Sequence, residues 1–125
     1  QILKNKKKCY ISLIKAVSKV DAGPIYDQNS FILNGTELSD EIRHIQGLQF
    51  LKIIKNFLSK YPNVKYKNQI GKSNFNKKRK PNDSKLNINQ TIKQQFNHLR
   101  INDNQLYPSF FYFKGKKFII KIFKG

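Results

Sequence analysis

The amino-acid sequence predicts an α/β fold in which two strands and a long helix are followed by a linker, a second helix and a hairpin. Two short β-branched apolar runs lie on either side of a cluster of turn residues. Apolar residues then recur at helical spacing. The chain closes with two aromatic and β-branched runs around a glycine, which is typical of a hairpin. The order strand, strand, helix favours the edge of a layered α/β sheet.

The first two predicted strands are joined by a tight turn. Residues 10–17 are apolar and β-branched over a length that suits a buried strand. Residues 21–24, Asp-Ala-Gly-Pro, follow. Gly23 is free to adopt positive φ and Pro24 has a fixed φ, so this segment predicts a turn. Residues 25–33 then form the second predicted strand.

A long helix is predicted after Asn34-Gly35, with Thr36 as its N-cap. Acidic residues in the first turn suit the positive end of the helix dipole. Tyr61-Pro62 ends the helix, because the residue before a proline is disfavoured in the α conformation. The predicted buried row consists of Leu38, Ile42, Ile45, Leu51, Ile54 and Leu58.

Residues 63–88 are polar, show neither helical nor strand periodicity and predict an extended linker. Asn89 is the predicted N-cap of the second helix, with Ile88 and Ile92 as a hydrophobic staple. Its predicted buried row is Ile92, Phe96 and Leu99. The final hairpin pairs residues 110–113 with 118–123.

The chain is strongly basic: its 125 residues include 25 Lys and Arg against 7 acidic residues, giving a formal charge of +18. Such a charge is typical of proteins that bind nucleic acid or anionic membranes. Scattered Lys and Asn in a biased proteome would give the same charge without any partner. Only residues 6–8 and 77–80 form compact basic clusters. The charge therefore leaves both interpretations open.

Cysteine content and hydropathy indicate a reducing, aqueous environment. Cys9 is the only cysteine, so no internal disulfide can form, and we expect it in the core. The chain contains no apolar run of the roughly 18 residues that a membrane-spanning helix requires. We therefore expect a cytoplasmic protein with no membrane partner.

Three stretches together resemble the folate-dependent formyltransferase family, which includes methionyl-tRNA formyltransferases and sugar-nucleotide N-formyltransferases. Residues 20–28 resemble that family's turn, Asp-x-Gly-(Pro/Asp)-Ile followed by a Gln. Residues 79–87, with the sequence Arg-Lys-Pro-Asn-Asp-Ser-Lys-Leu-Asn, resemble its linker. Residues 96–108 carry Leu-Arg and Tyr-Pro pairs at the corresponding places. All three occur in the order of the family.

The resemblance implies the C-terminal part of a Rossmann-like formyltransferase domain. Residues 1–62 would complete the catalytic domain, 63–88 would be a linker, and 89–125 would form a small helix and hairpin subdomain. The implied reaction transfers a formyl group from 10-formyltetrahydrofolate to an amine without a metal. Because the chain ends soon after the hairpin, the favoured acceptor is a nucleotide-linked amino sugar. Two alternatives are a methionyl-tRNA formyltransferase and a stand-alone basic RNA-binding or polyanion-binding module, and a homodimer is compatible with the enzyme.

By this resemblance, Asp21 would be the family's catalytic aspartate, which acts with an Asn and a His. The Asn and His would stabilise the oxyanion that forms as the amine attacks, and Asp21 would orient the His and relay protons. Gly23 would let the backbone approach the cofactor. No Asn-x-His occurs in this sequence, and neither His44 nor His98 has the matching context. The chain by itself is therefore expected to be inactive.

The resemblance indicates weaker candidates for substrate binding. Lys78 and Arg79 could meet a diphosphate, and Arg100 could contact a phosphate, although a structural ion pair is the favoured role of Arg100. The ring of Tyr107 could stack on a base. Asp83 is predicted to act in a turn rather than in catalysis.

Overall fold

The structure, a computed structural model, describes residues 1–71 and 77–125 and confirms the α/β class. Residues 72–76, which belong to the predicted linker, lie outside the described residues. Short 3-10 helices span Ile2–Lys4 and Pro81–Ser84. The main elements are β1 (Lys8–Ile14), β2 (Ile25–Ile32), α1 (Ser39–Lys60), α2 (Ile92–Ile101), β3 (Ser109–Phe113) and β4 (Lys116–Ile120).

The described residues form two compact units. The first, here called the ribbon unit, contains residues 8–32 and 43–71. The second, here called the terminal unit, contains residues 1–7, 33–42 and 77–125. The predicted division at residues 62 and 88 stays a prediction.

In the ribbon unit, β1 and β2 pair antiparallel, with Lys8 opposite Ile32 and Ile11 opposite Asn29. The register shifts between Leu13 and Ile14, where β1 ends three residues before the predicted boundary at residue 17. Both predicted strands are otherwise confirmed. The expected burial of Cys9 is confirmed as well, since its side chain is buried in β1.

Helix α1 packs along β2 through a face that the sequence only partly predicted. Ile53, which is 1% exposed, is the most buried residue of this face. Asn56 Nδ2 donates to Asp27 Oδ2 at 2.7 Å, and the rings of Phe57 and Tyr26 have centroids 5.1 Å apart. A tertiary contact, rather than the count of apolar residues, therefore selects the buried face.

The predicted buried row of α1 is confirmed only at its start. Ile42 is buried, but Leu51, Ile54 and Leu58 are all exposed. The prediction was wrong at these three positions because α1 carries apolar residues on two sides. The second side lies away from β2.

The start of α1 also differs from the prediction. The helix begins at Ser39, so Thr36 is not its N-cap. Thr36 instead donates from its N–H and its hydroxyl to Asn34 Oδ1. Glu41 in the first turn accepts from the Leu38 N–H at 2.9 Å, which replaces the missing cap.

Helix α2 of the terminal unit is capped by Thr91 and not by Asn89. Thr91 Oγ1 accepts from the N–H of Gln94, whose side chain accepts from the Thr91 N–H, and this forms a reciprocal capping box. The predicted staple is wrong because Ile88 and Ile92 are both exposed. The helix is held instead by Leu99, which is buried, as predicted.

The terminal hairpin is confirmed. β3 and β4 pair antiparallel, with Phe111 opposite Phe118 and their rings stacked at 5.4 Å. Lys114 and Gly115 link the strands with φ values of 48° and 73°. Two successive positive φ values match the twist of a two-residue hairpin turn. Within residues 1–71 and 77–125, no helix has the length and apolar content that crossing a membrane requires.

Candidate functional site

The turn at residues 21–24 places Asp21 at an exposed position of the ribbon unit. Asp21 has a φ of 56°, a left-handed conformation that Asp and Asn tolerate better than most residues. Gln69 Nε2 donates to the carbonyl oxygens of Asp21 at 2.9 Å and Gly23 at 2.6 Å. One amide group therefore holds the backbone on both sides of Ala22 and presents the Asp21 carboxylate to solvent.

Gly23 is required by a close approach of the backbone. A Cβ at this position would overlap the carbonyl oxygen of Lys15, which follows the end of β1. The Lys15 N–H also donates to the carbonyl oxygen of Pro24 at 2.9 Å. Glycine is thus needed for the chain's own packing, and the positive φ of the turn lies at Asp21 rather than at Gly23. A role of Gly23 in cofactor binding stays a prediction.

The residues after the turn are tied to the ribbon and to α1. Asp27 accepts from the N–H of Gln28 at 2.8 Å and from Asn56 at 2.7 Å, so each carboxylate oxygen has a donor. Gln28 Nε2 in turn donates to Ser12 Oγ at 2.8 Å. These bonds fix the strand that carries the turn.

In the terminal unit, the linker motif and the Tyr-Pro motif are hydrogen-bonded to each other. Arg79 donates to Asn102 Oδ1 at 2.8 Å and to the carbonyl oxygen of Asp83 at 3.0 Å. Ser84, which is 1% exposed, donates to the carbonyl oxygen of Tyr107 at 3.0 Å. Asp83 Oδ2 accepts from the backbone N–H that precedes the turn, so its predicted turn role is confirmed.

Arg100 is buried and its guanidinium is engaged inside the terminal unit. It donates to the carbonyl oxygen of Glu37 at 2.9 Å, lies 3.5 Å from the Glu37 carboxylate, and donates to Asn97 Oδ1 at 2.7 Å. These contacts favour the structural ion pair over a phosphate contact. Its predicted role toward substrate stays a prediction.

Glu37 is the carboxylate that this ion pair fixes. Burial alone raises the pKa of Glu37, but donation from the N–H groups of Asn34 and Gly35 and the charge of Arg100 outweigh it. The net effect lowers its pKa from the usual 4.5. Glu37 therefore remains charged and anchors the loop that precedes α1.

The structure brings some of the predicted site residues together. Arg79 and Tyr107 belong to one hydrogen-bond network. Tyr107 takes part through its carbonyl oxygen, and its ring is exposed. Lys78 is exposed beside Arg79. Asp21 and Gly23 belong to the ribbon unit.

Sequence reasoning missed two residues that shape these sites, Gln69 and Glu37. Gln69 lies in the polar linker, where nothing marks it in one sequence. Glu37 follows Asn-Gly-Thr, and a helix capped by Thr36 would place it among the acidic residues of the first turn. The later start of α1 leaves Glu37 before the helix, with its side chain buried. A shift of two residues in the helix start was enough to change its role.

The hairpin carries a basic surface with aromatic side chains. Residues 104–125 contain five lysines and no acidic residue. Lys117 Nζ lies 4.2 Å from the ring centroid of Phe110, and Tyr112 and Phe113 are exposed. Exposed rings among lysines form a surface suited to a nucleic acid.

The part of the chain that the structure describes contains no group of three or more His, Cys, Asp or Glu side chains arranged for a metal.

Comparison with known proteins finds similarity to formyltransferases. No family model matches the chain. A methionyl-tRNA formyltransferase from Mycoplasma genitalium is 31% identical over 131 residues, a match that covers 99% of this chain and 40% of that protein. This chain thus spans less than half the length of that relative.

Comparison with solved structures shows that this chain has the fold of formyltransferases. A methionyl-tRNA formyltransferase from Clostridium thermocellum superposes with a TM-score of 0.75 at 22% identity, covering 99% of this chain and 60% of that one. A sugar N-formyltransferase candidate from Mycobacterium tuberculosis has the same score at 17% identity, covering 97% of this chain and 55% of its own. The curated and structural neighbours of this chain are therefore formyltransferases, which confirms the family resemblance that the three sequence motifs predicted.

Proposed function

We propose that this chain contributes to an enzyme that transfers a formyl group from 10-formyltetrahydrofolate to an amine. The observation that carries the proposal is the Asp21 turn, whose backbone is held by Gln69 while its carboxylate is exposed. An amine nitrogen attacks the formyl carbon and gives up a proton, the bond from that carbon to the folate nitrogen breaks, and the folate nitrogen takes up a proton. Asp21 would assist this proton transfer.

The residues of this chain supply only part of the site in which 10-formyltetrahydrofolate would react. The exposed carboxylate of Asp21 suits a partner His, but the Asn and His of the family set have no matching motif in this sequence. The remaining catalytic groups must therefore come from residues outside this chain. We keep the prediction that the chain alone is inactive.

Methionyl-tRNA is the acceptor that the hairpin surface favours. Its lysines and exposed rings, together with the net charge of +18, suit a large polyanion better than one small nucleotide. The relative that is 31% identical is named a methionyl-tRNA formyltransferase, so its name gives the same acceptor. A nucleotide-linked amino sugar, the acceptor favoured by the sequence alone, remains the second candidate, supported by the neighbour from Mycobacterium tuberculosis.

A chimera tests the catalytic proposal. In it, this chain replaces the matched stretch of the Mycoplasma genitalium formyltransferase. Asp21→Asn keeps a residue type that tolerates the φ of 56°, so the turn should persist. We expect turnover of 10-formyltetrahydrofolate to fall by about a hundredfold or more.

The control is Asp40→Asn, which makes the same change of charge at an exposed carboxylate of α1 and should leave turnover intact. Thermal unfolding of both variants verifies that the fold is kept. Undiminished turnover in Asp21→Asn would remove this carboxylate from the mechanism.

A further inference from the structure

A cavity of about 340 Å³ opens in the ribbon unit beside the last residues of α1. It is here called the helix-end pocket. Small-molecule sites in proteins begin at a volume of roughly 300 Å³. The pocket is therefore large enough for a compact ligand. Its lining includes Tyr26 and Asp27 of β2, Asn56, Phe57 and Lys60 of α1, and Lys65 of the segment after the helix.

Two lysines of the pocket have no partner of opposite charge. Within the residues that the structure describes, the ammonium groups of Lys60 and Lys65 form neither an ion pair nor a hydrogen bond. Unpaired positive charges beside a cavity raise the local concentration of anions. The lining therefore favours an anionic ligand, and lysine binds phosphate as a point charge.

Asp27, the acidic residue of the lining, is already hydrogen-bonded on both oxygens. Its Oδ1 accepts from the Gln28 N–H at 2.8 Å, and its Oδ2 accepts from Asn56 Nδ2 at 2.7 Å. These bonds stabilise the carboxylate and fix the Asn56 amide. In the described part of the chain, Oδ1 of Asn56 has no donor of its own. This oxygen is available to accept from an amino group of a ligand.

Two aromatic rings belong to the apolar part of the lining. The ring centroids of Tyr26 and Phe57 lie 5.1 Å apart with an interplanar angle of 59°, and both residues are half-buried. Tyr66 meets the Tyr26 ring edge-on at 6.1 Å and so helps to fix it. Rings held in this way offer a surface for aromatic contact, which inorganic phosphate would leave unused.

We propose that the helix-end pocket binds a phosphate monoester that carries an aromatic ring, which is the chemistry of a nucleoside monophosphate. Lys60 and Lys65 hold the phosphate by charge. The rings of Tyr26 and Phe57 contact the base, and Asn56 Oδ1 accepts from an amino group of the base. This binding requires no formyl transfer, so its failure and the failure of the catalytic proposal are distinguishable.

Two probes that carry the same phosphate test the role of the rings. Adenosine monophosphate and ribose phosphate are titrated into the isolated chain by calorimetry at about 0.15 M salt, where general attraction to the basic surface is screened. Adenosine monophosphate should bind one to one and at least about tenfold more tightly than ribose phosphate, because only its base contacts the rings. Equal affinities, or no saturable binding of either probe, would overturn the proposal.

A pair of double variants tests the two lysines. Lys60→Gln with Lys65→Gln should weaken the binding of adenosine monophosphate by about tenfold or more, because charge-assisted bonds to the phosphate are lost. Lys52→Gln with Lys55→Gln removes the same charge from positions of α1 outside the lining and should change the affinity by less than about twofold. Equal weakening in the two double variants would mean that only the total charge attracts the nucleotide, which contradicts the proposal.

A measurement on the wild-type chain locates the nucleotide without any substitution. During the titration, the nuclear magnetic resonance signals of the Asn56 side-chain amide should shift and saturate together with the calorimetric signal. Signals that move only in the hairpin, for example at Tyr112, would place the nucleotide on the basic surface of the hairpin and reject the helix-end pocket.

Discussion

At the scale of single residues, Gly23 is the position with the least freedom to change. The absence of a Cβ lets the backbone of Lys15 pass beside the turn that carries Asp21. Sequence pattern alone identified the glycine, but it attributed the residue to positive φ or to a cofactor. The structure supplies a simpler cause, which is steric exclusion by the chain itself.

Gly23→Ala should destabilise the chain by about 1 to 3 kcal/mol, the usual cost of overpacking. Gly47→Ala is the matched control, since nothing lies within 4 Å of a Cβ there and alanine is the better helix former. It should stabilise α1 by up to about 1 kcal/mol. Urea unfolding of the two variants measures both effects, and a neutral Gly23→Ala would show that the turn can move away.

Glu37 makes the stability of the chain depend on pH. Its folded-state pKa is lowered from the usual 4.5, so the folded form binds its proton less readily than the unfolded form. Its contribution is therefore fully present above pH 4.5 and is lost as the pH falls through the lower folded-state pKa. Between neutral and acid pH, wild type should lose more unfolding free energy than Glu37→Gln. Parallel pH profiles would contradict this assignment.

At the scale of elements, the helix starts are where sequence and structure disagree most. Asn89 and Thr91 are both good N-cap residues, and composition does not rank them. Gln94, three residues after Thr91, completes a capping box and so selects Thr91. The reciprocal bond would have been visible in the sequence as a Thr-x-x-Gln pattern.

Thr91→Ala should therefore cost about 1 kcal/mol of stability, whereas Asn89→Ala should change it by less than about 0.5 kcal/mol. Both positions are exposed, so burial does not complicate the comparison. Denaturant unfolding of the isolated chain gives both values. A larger loss of stability from Asn89→Ala than from Thr91→Ala would instead identify Asn89 as the N-cap.

At the scale of the whole molecule, the charge of +18 makes a prediction about RNA. If the hairpin binds tRNA, log affinity should fall linearly with log salt concentration, because bound lysines release counterions. Lys117→Gln with Lys121→Gln should lower the slope by roughly 0.7 to 0.9 for each phosphate contact removed. Lys52→Gln with Lys55→Gln on α1 makes the same change of charge and should leave the slope unaltered.

A salt series of tRNA binding to the isolated chain measures these slopes. An equal decrease of the slope in the two double variants would mean that only the total charge attracts the RNA. Absence of binding at moderate salt would favour the amino-sugar acceptor, which a binding assay with a nucleotide-linked amino sugar can then test.

The sequence by itself determined the α/β class, the two strands around the Asp21 turn, the hairpin and the family resemblance. These depend on local properties, since Asp-Ala-Gly-Pro, Lys-Gly-Lys and the strand alternation fix the backbone over short distances. Tertiary structure alone decided which side of α1 is buried, because Leu51, Ile53, Leu58 and Phe57 are equally apolar and only β2 selects among them. It also decided that Gln69 holds the turn and that Arg100 meets Glu37, because these partners lie 48 and 63 residues apart along the chain.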